Sequence, residues 1–385
     1  MTPRILFVVN TAAFFVSHRL PLALEARSLG YDVALCTGQA GSATLEQIAV
    51  EELAKQGIRH WRVAFGASGI NPLVELVAIG QMVRQMLRFR PTLVHCASPK
   101  GVLYGGIAAR LVGVPALVLA VTGMGYAATA GAVSTSRHIA AWATRALSRL
   151  AYGHRCKRVV VQNRDDAEMI LAAGLAEPAE MRLIPGSGVD LALFANDPAA
   201  PRDALVVLPA RMLADKGVFE FVAAARMLRQ QGCTWRFLLA GTADYANPSA
   251  ISTERIRTWI SEGIVEWSGH VHDMPALLAR AAIVCLPSYR EGMPKALLEA
   301  AAAGCAIVTT DVIGCREAIV AGTTGDLVPA KDASALASAL GALIGDPHRR
   351  ARYGAAGRKL AIEKFGVESV VRDTVGIYSE VISRC

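Results

Sequence analysis

Short apolar runs alternate with segments whose apolar residues recur three and four positions apart. Ile5–Val9 leads to a helical pattern over Arg19–Leu29, and Gly30 closes it as a residue suited to a helix C-terminus. Val33–Thr37 follows, then Thr44–Gln56 closed by Gly57, then His60–Phe65. Leu73–Phe89 is again helical in period, and Arg90-Pro91 stops it. Leu93–Cys96, Tyr104–Leu111 and Ala116–Val121 continue the alternation. Strands separated by helices of this length predict parallel β-α-β units with right-handed crossovers.

The pattern restarts after Asn196-Asp-Pro-Ala-Ala-Pro201. Leu205–Leu208, Phe219–Gln231 and Trp235–Ala240 read as strand, helix and strand. Ile283–Leu286, Pro294–Ala303 and Ala306–Thr310 repeat that order. Two runs of such units predict an α/β protein of two doubly wound, Rossmann-like domains facing a cleft, over residues 1–195 and 196–365. Residues 366–385 form a last helical pattern that either finishes the second domain or crosses back to the first. Ligands of such sheets sit beyond the carboxyl ends of the strands, which places the site before any motif is named.

Composition narrows the class. Of 385 residues, 53% are hydrophobic and 19% charged, which fits buried parallel sheets and excludes a disordered chain. The net charge of +8 favours anionic partners without choosing among them. Eight cysteines are scattered with no C-x-x-C pair, so neither a zinc site nor a disulfide framework is expected, and a reducing cytoplasm fits. The apolar residues 5–16 read as a strand and loop rather than a signal peptide, because Asn10 interrupts them. Residues 111–136 lack charge, but Pro115, Gly123, Gly125 and Gly131 break them into a buried strand and a loop.

Two stretches carry candidate chemistry. In Pro287-Ser-Tyr-Arg-Glu-Gly-Met-Pro-Lys-Ala-Leu-Leu-Glu299 a strand ends in a polar loop, and Pro294 suits the first position of a helix. The backbone N–H groups of Gly292, Met293 and Lys295 then lie at a helix N-terminus, which suits a phosphate or a sugar hydroxyl. Glu291 precedes that helix and can accept from sugar hydroxyls; Glu299, two turns on, can accept from the paired hydroxyls of a ribose. The plain alternative is two solvated helix charges, against which Glu299 stands in an apolar run where a buried carboxylate needs a partner. The second stretch is Leu208-Pro-Ala-Arg211-Met-Leu-Ala-Asp-Lys216-Gly217. Arg211 and Lys216 at a strand's carboxyl end can clamp a diphosphate; alone, they would be an ordinary basic loop. No Asp-x-Asp, Walker loop, G-x-S-x-G or clean G-x-G-x-x-G occurs. Without carboxylates to hold a divalent ion, no metal or other cofactor is expected, and Arg211, Lys216 and the helix N-terminus would stabilise the charge.

These residues resemble the retaining glycosyltransferases of family GT4, which have the GT-B architecture. The resemblance rests on Glu291-x7-Glu299, on Arg211 and Lys216 in their loop, and on Ile184-Pro-Gly-Ser-Gly-Val-Asp190. It continues through Gly269-His-Val-His-Asp273, Thr310-Asp-Val-Ile-Gly-Cys-Arg-Glu317 and Gly325-Asp-Leu-Val-Pro329. Ser17-His18-Arg19-Leu20-Pro21, His95-Cys-Ala-Ser-Pro-Lys100 and Val121-Thr-Gly-Met-Gly-Tyr126 are similar to a narrower group. Its members are bacterial transferases that extend undecaprenyl-diphosphate-linked oligosaccharides, including those that add N-acetylgalactosamine.

The resemblance implies a nucleotide-diphosphate sugar as donor, a UDP-sugar carrying an N-acetylhexosamine, and a lipid-linked saccharide as acceptor. It assigns Arg211, Lys216 and Glu291 to catalysis, and Val271, Gly292, Met293, Pro294, Lys295 and Glu299 to the donor. His18, Lys100, Thr122 and Gly123 fall to the acceptor side. Two departures stand out. Val121-Thr122-Gly123 occupies the place where many relatives have a histidine near the anomeric centre, and the loop after the first strand, Asn10-Thr-Ala-Ala, lacks the usual glycines. Retention without a nucleophile implies attack on the face the leaving group departs from.

A basic segment with Trp142 and Tyr152, residues 136–158, reads either as an ordinary surface helix or as one lying on an anionic bilayer at the inner face of the plasma membrane. His270-x-His272 shows no metal-site spacing beyond itself, and no nucleic-acid motif accompanies the basic charge. Two rival functions remain open: a sugar-nucleotide epimerase on a similar scaffold, and a non-catalytic sugar-nucleotide-binding protein.

Overall fold

The computed structural model describes residues 2–39, 43–66, 71–123, 135–195, 200–243 and 247–385, with side chains 39 and 135–143 outside the description. The chain forms two compact units, Met1–Ser187 with Val370–Cys385, and Gly188–Ser369. The division falls at 187/188 rather than at 195/196, and the final residues join the first unit.

The first unit runs β1 (Arg4–Val9), α1 (Ala12–His18), α2 (Leu20–Ser28), β2 (Asp32–Gln39), α3 (Ala43–Lys55), β3 (Arg59–Gly66), α4 (Pro72–Phe89) and β4 (Leu93–Ala97). It continues with α5 (Pro99–Val112), β5 (Ala116–Val121), α6 (Thr135–Tyr152), β6 (Lys157–Val161), α7 (Arg164–Ala172) and β7 (Met181–Leu183). Its seven strands pair in parallel in the order β3-β2-β1-β4-β5-β6-β7. The order reverses between β1 and β4. Both faces are covered, which is why β4 and β5 read as continuous apolar runs and are buried at every residue. One face packs α4–α7 around Met82, Phe65 and Tyr152; the other packs α1–α3 around Phe7, Phe15 and Leu53.

The second unit runs β8 (Asp203–Pro209), α8 (Val218–Gln230), β9 (Arg236–Ala240), α9 (Thr253–Ser261), β10 (Glu266–Gly269), α10 (Met274–Arg280) and β11 (Ala281–Leu286). It closes with α11 (Lys295–Ala302), β12 (Ala306–Thr310), β13 (Gly325–Val328), α12 (Ala333–Gly345) and α13 (Pro347–Lys364). Its six parallel strands are ordered β10-β9-β8-β11-β12-β13, reversing between β8 and β11.

The last helix, α14 (Val367–Ser383), completes the α1–α3 face of the first unit with Val370, Ile377, Tyr378 and Val381. Charge holds it as well: Arg158 and Arg182 both reach Glu380, at 2.8 and 2.5 Å. No disulfide framework is expected from the scattered cysteines, yet Cys156 and Cys385 form one disulfide, with a Cα–Cα distance of 6.1 Å. The partners lie 229 residues apart and meet only once α14 has docked, so no spacing announces them.

A second correction concerns residues 12–16, expected as loop and found within α1. The Thr11 side chain caps the N–H of Phe14, and the carboxylate of Glu46 takes the N–H groups of Ala12 and Ala13, at 3.0 and 3.1 Å. That second cap comes from over thirty residues away, beyond the reach of local pattern. Among the described residues, no helix is long and apolar enough to cross a membrane. The apolar 5–16 stretch supplies β1 and α1, and the uncharged 111–136 stretch supplies β5.

Candidate active site

In the second unit the carboxyl ends of β8 and β11 flank the point where strand order reverses, the place where such sheets bind ligands. From β8 the chain passes Arg211, which is exposed, and makes a single tight turn at Ala214–Lys216. Gly217 follows with φ of 72°, and a Cβ there would lie 2.0 Å from the Pro287 carbonyl oxygen. The two loops touch, and only glycine permits the approach. Tyr289 N–H donates to the Asp215 carbonyl across the same junction at 2.9 Å.

That contact delivers Lys216 to Glu291. Their ion pair measures 2.5 Å, with side chains 18% and 14% exposed. Ser288 Oγ donates to the same Glu291 oxygen at 2.7 Å. The loop after β12 closes over the backbone: Glu291 N–H donates to the Ile313 carbonyl at 3.0 Å. Gly314, with φ of 82°, passes so near the Glu291 and Gly292 carbonyls that a Cβ would lie 2.5 Å from each. Thr310 Oγ1 donates to the Ser288 carbonyl. Behind the pair, Tyr289 Oη donates to Glu220 at 2.7 Å, and burial pushes that phenol well above its ordinary range.

Pro294 proves to be the N-cap of α11 rather than its first residue. Its ψ of 110° is extended, and its carbonyl accepts from Leu297 and Leu298. Gly292 and Met293 therefore lead straight into a helix N-terminus, where backbone N–H groups and the helix dipole favour anionic oxygens. Glu299 is not a solvated helix charge. Its side chain is 15% exposed, with Lys295 at 3.4 Å. Burial raises its pKa above the usual carboxylate range, and Lys295 offsets part of that. Val271, after β10, is half-buried against the core of the same unit.

The first unit is arranged differently at its own reversal point. Glu46 is buried against the N-terminus of α1, where a phosphate would sit in a nucleotide-binding domain. Asn10 and Ser98 join the ends of β1 and β4, with Ser98 Oγ donating to Asn10 Oδ1 at 2.7 Å. Ser98 holds φ of 70°, a strained value for a residue with a side chain. Lys100 reaches Glu75 at 2.8 Å and the Gly66 carbonyl at 2.9 Å. Thr122 and Gly123 follow β5 directly; Met124, Gly125 and Tyr126 of that motif lie outside the described residues. His18 stacks on Phe14 and lines, with Arg19 and His95, a cavity of about 20 Å³, room for about one water. His95 accepts a hydrogen bond from or donates one to Tyr378 Oη at 2.8 Å, and burial together with Arg19 holds its pKa well below the ordinary histidine value.

Residues 203–346 match the family Glycosyl transferases group 1, and residues 4–153 match Glycosyl transferase 4-like, so the two span most of the chain. The chain belongs to the GT4-like glycosyltransferases. It is 28% identical over 315 residues to an N,N'-diacetylbacillosaminyl-diphospho-undecaprenol alpha-1,3-N-acetylgalactosaminyltransferase of Campylobacter jejuni, covering 78% of this chain and 80% of that protein. It is 31% identical over 239 residues to an alpha-maltose-1-phosphate synthase of Mycobacterium tuberculosis, covering 58% and 56%. Anabaena HepE, solved with UDP and glucose, shares the fold with a TM-score of 0.76 at 17% identity, over 98% of this chain and all of that one. The two parallel sheets are those of the GT-B fold.

In this glycosyltransferase the structure brings Lys216 onto Glu291 and Lys295 beside Glu299, and sets Arg211 at the same reversal point. Among the described residues no group of three or more His, Cys, Asp or Glu is placed to hold a metal. Sequence reasoning passed over Ser288 and Tyr289, although both stood inside the quoted stretch. Glu46, Glu220 and Asn10 carried no local signal, since each acts on a partner distant in sequence.

Because burial raises the Glu299 pKa, the folded, ligand-free enzyme holds its proton more tightly than the unfolded chain. Its charge therefore opposes folding at neutral pH, and this cost disappears as pH falls below the unfolded carboxylate value, about 4.3. Glu299→Gln is expected to stabilise the ligand-free enzyme at pH 7 and to have a smaller effect near pH 4. Denaturant melts at both pH values check it; a variant less stable than wild type at pH 7 contradicts it.

Proposed function

We propose that the protein is a retaining transferase that moves an N-acetylhexosamine from a UDP-sugar to a lipid-linked saccharide during surface-glycan assembly, at the cytoplasmic face of a membrane. The observation that carries the reading is the half-buried Lys216–Glu291 pair at the carboxyl ends of β8 and β11. One partner can neutralise a departing diphosphate and the other can hold the sugar beside it. The likeness to the Campylobacter enzyme supports the acceptor class, and the UDP in the HepE structure supports the nucleotide.

In this reading Arg211 and Lys216 bind the diphosphate, Arg211 as a bidentate fork and Lys216 as a point charge. Gly292 and Met293, held open by Pro294, offer backbone donors to the sugar and phosphate, with Lys295 in the first turn of α11. Glu291 accepts from hydroxyls of the transferred sugar, Glu299 from the ribose, and the backbone at Val271 meets the base. His18, Lys100, Thr122 and Gly123 serve the acceptor side; the Glu75–Lys100 pair means that Lys100 acts there as half of an ion pair.

The acceptor hydroxyl attacks the anomeric carbon as its bond to the phosphate oxygen breaks, and that oxygen takes the hydroxyl proton. The protein contributes positioning and stabilisation of the leaving charge. The cations and the α11 N-terminus supply that stabilisation without a divalent ion. Incubation with several UDP-sugars, with and without an undecaprenyl-diphosphate-linked acceptor, should yield extended lipid in excess EDTA, read by mass. An isomerised UDP-sugar without acceptor would make the protein an epimerase, no turnover would leave it a binding protein, and EDTA-sensitive transfer restored by magnesium would overturn the metal-free site.

Free UDP has a ribose and no transferred sugar, so it separates the two glutamates. Glu299→Ala should weaken UDP binding by about 1.5–3 kcal/mol, the worth of charged hydrogen bonds. Glu291→Ala should leave UDP binding nearly unchanged and impair turnover of the sugar donor. Calorimetry beside steady-state kinetics checks both; the opposite pattern reverses the assignment.

A further inference from the structure

The three helices α4, α5 and α6 lie side by side over one face of the first unit's sheet. Their combined sequence contains a single carboxylate, Glu75, which is buried on Lys100 at 2.8 Å. Among the described side chains their exposed charges are Arg84, Arg88, Arg110, Arg145 and Arg149. The opposite face, with α2, α3 and α14, exposes Glu25, Glu51 and Asp373. The α4–α6 face is thus cationic and free of exposed acid among the described residues. Acid returns at its edge, with exposed Glu168 on α7.

Apolar side chains stand out of the same face. Leu73, Leu76 and Val77, in the first two turns of α4, are 74%, 65% and 54% exposed, and Leu87 and Leu147 follow farther along. Three large aliphatics on neighbouring turns form a patch rather than the scattered exposure ordinary to a surface. The place is defined: Lys100 ties Glu75 of that turn to the Gly66 carbonyl at the end of β3, so the patch sits at the carboxyl end of the sheet. That is the end at which a doubly wound domain meets its ligand.

An isologous contact with a second copy would set arginines against arginines with no carboxylate between them. A bilayer rich in anionic lipid offers headgroup charge and hydrocarbon in one surface. We propose that the α4–α6 face docks on an anionic membrane, with Leu73, Leu76 and Val77 entering the acyl boundary and the arginines meeting lipid phosphates. The inference moves the main membrane contact from α6, where Trp142 lies outside the described side chains, to α4. Its purpose rests on the reading that the acceptor is lipid-linked, but it is tested without any acceptor.

Purified full-length protein is sedimented with vesicles of phosphatidylglycerol and phosphatidylethanolamine, and with vesicles of phosphatidylcholine alone. Wild type should bind the first and not the second. Leu73→Ser/Leu76→Ser/Val77→Ser and, separately, Arg84→Glu/Arg88→Glu should each weaken binding at least tenfold, with circular dichroism and UDP binding unchanged. Transfer failing while vesicle binding holds would sink the functional reading alone. No binding to anionic vesicles, or binding that neither variant weakens, overturns the proposal. So does a concentration-dependent dimer that the serine variant disrupts without any vesicle binding, since the face would then join two copies.

Discussion

The candidate donor site depends on one close approach, that of Gly217 to the Pro287 carbonyl. It is the point where the loop leaving β8 and the loop leaving β11 meet, and a side chain at 217 would force them apart. With the loops in contact, Lys216 lies on Glu291 and Tyr289 bonds back to Asp215. The loop after β12 then locks the Glu291–Gly292 backbone through Ile313 and Gly314. An ion pair partly withdrawn from water, as this one is, is weak evidence for stability, because desolvation takes back much of the attraction. Its retention at the reversal point of the sheet makes better sense as a prepared charge arrangement than as a stabilising device.

The two units use the same plan with opposite outcomes at their reversal points. In the first, the N-terminus of α1 is closed by a carboxylate of the chain itself, Glu46, and the strand ends are stitched by Asn10 and Ser98. An anion approaching there would meet a negative charge. In the second, the loop after β8 brings Arg211 and Lys216, and Gly292 and Met293 lead into α11. The absence of glycine in Asn10-Thr-Ala-Ala follows from the same cause: that turn does not need to admit a pyrophosphate, so nothing requires a bare backbone.

Much of this was legible in the chain. Parallel strands buried on both faces read as unbroken apolar runs, and glycines such as Gly30 and Gly57 marked helix ends. The Glu291-x7-Glu299 stretch exposed its own logic, because a carboxylate in Ala-Leu-Leu-Glu-Ala is conspicuous. What sequence pattern missed was made by distant partners. The α1 helix owes its start to Glu46, α14 is held by Arg158, Arg182 and a disulfide from residue 156, and Tyr289 is braced by Glu220. The Lys216–Glu291 pairing itself was invisible, although both residues were singled out, since their separation of 75 positions says nothing about contact.

The central claim is that Lys216 and Glu291 act on the donor as one unit. A double-mutant cycle on transfer tests it, with kcat/KM measured for Lys216→Ala, Glu291→Gln and the two together. The account predicts that each single variant loses about 10²–10³ in rate, and that the double variant falls little below the worse single, as for residues acting together. Losses that multiply in the double variant, or singles that turn over like wild type, would contradict it.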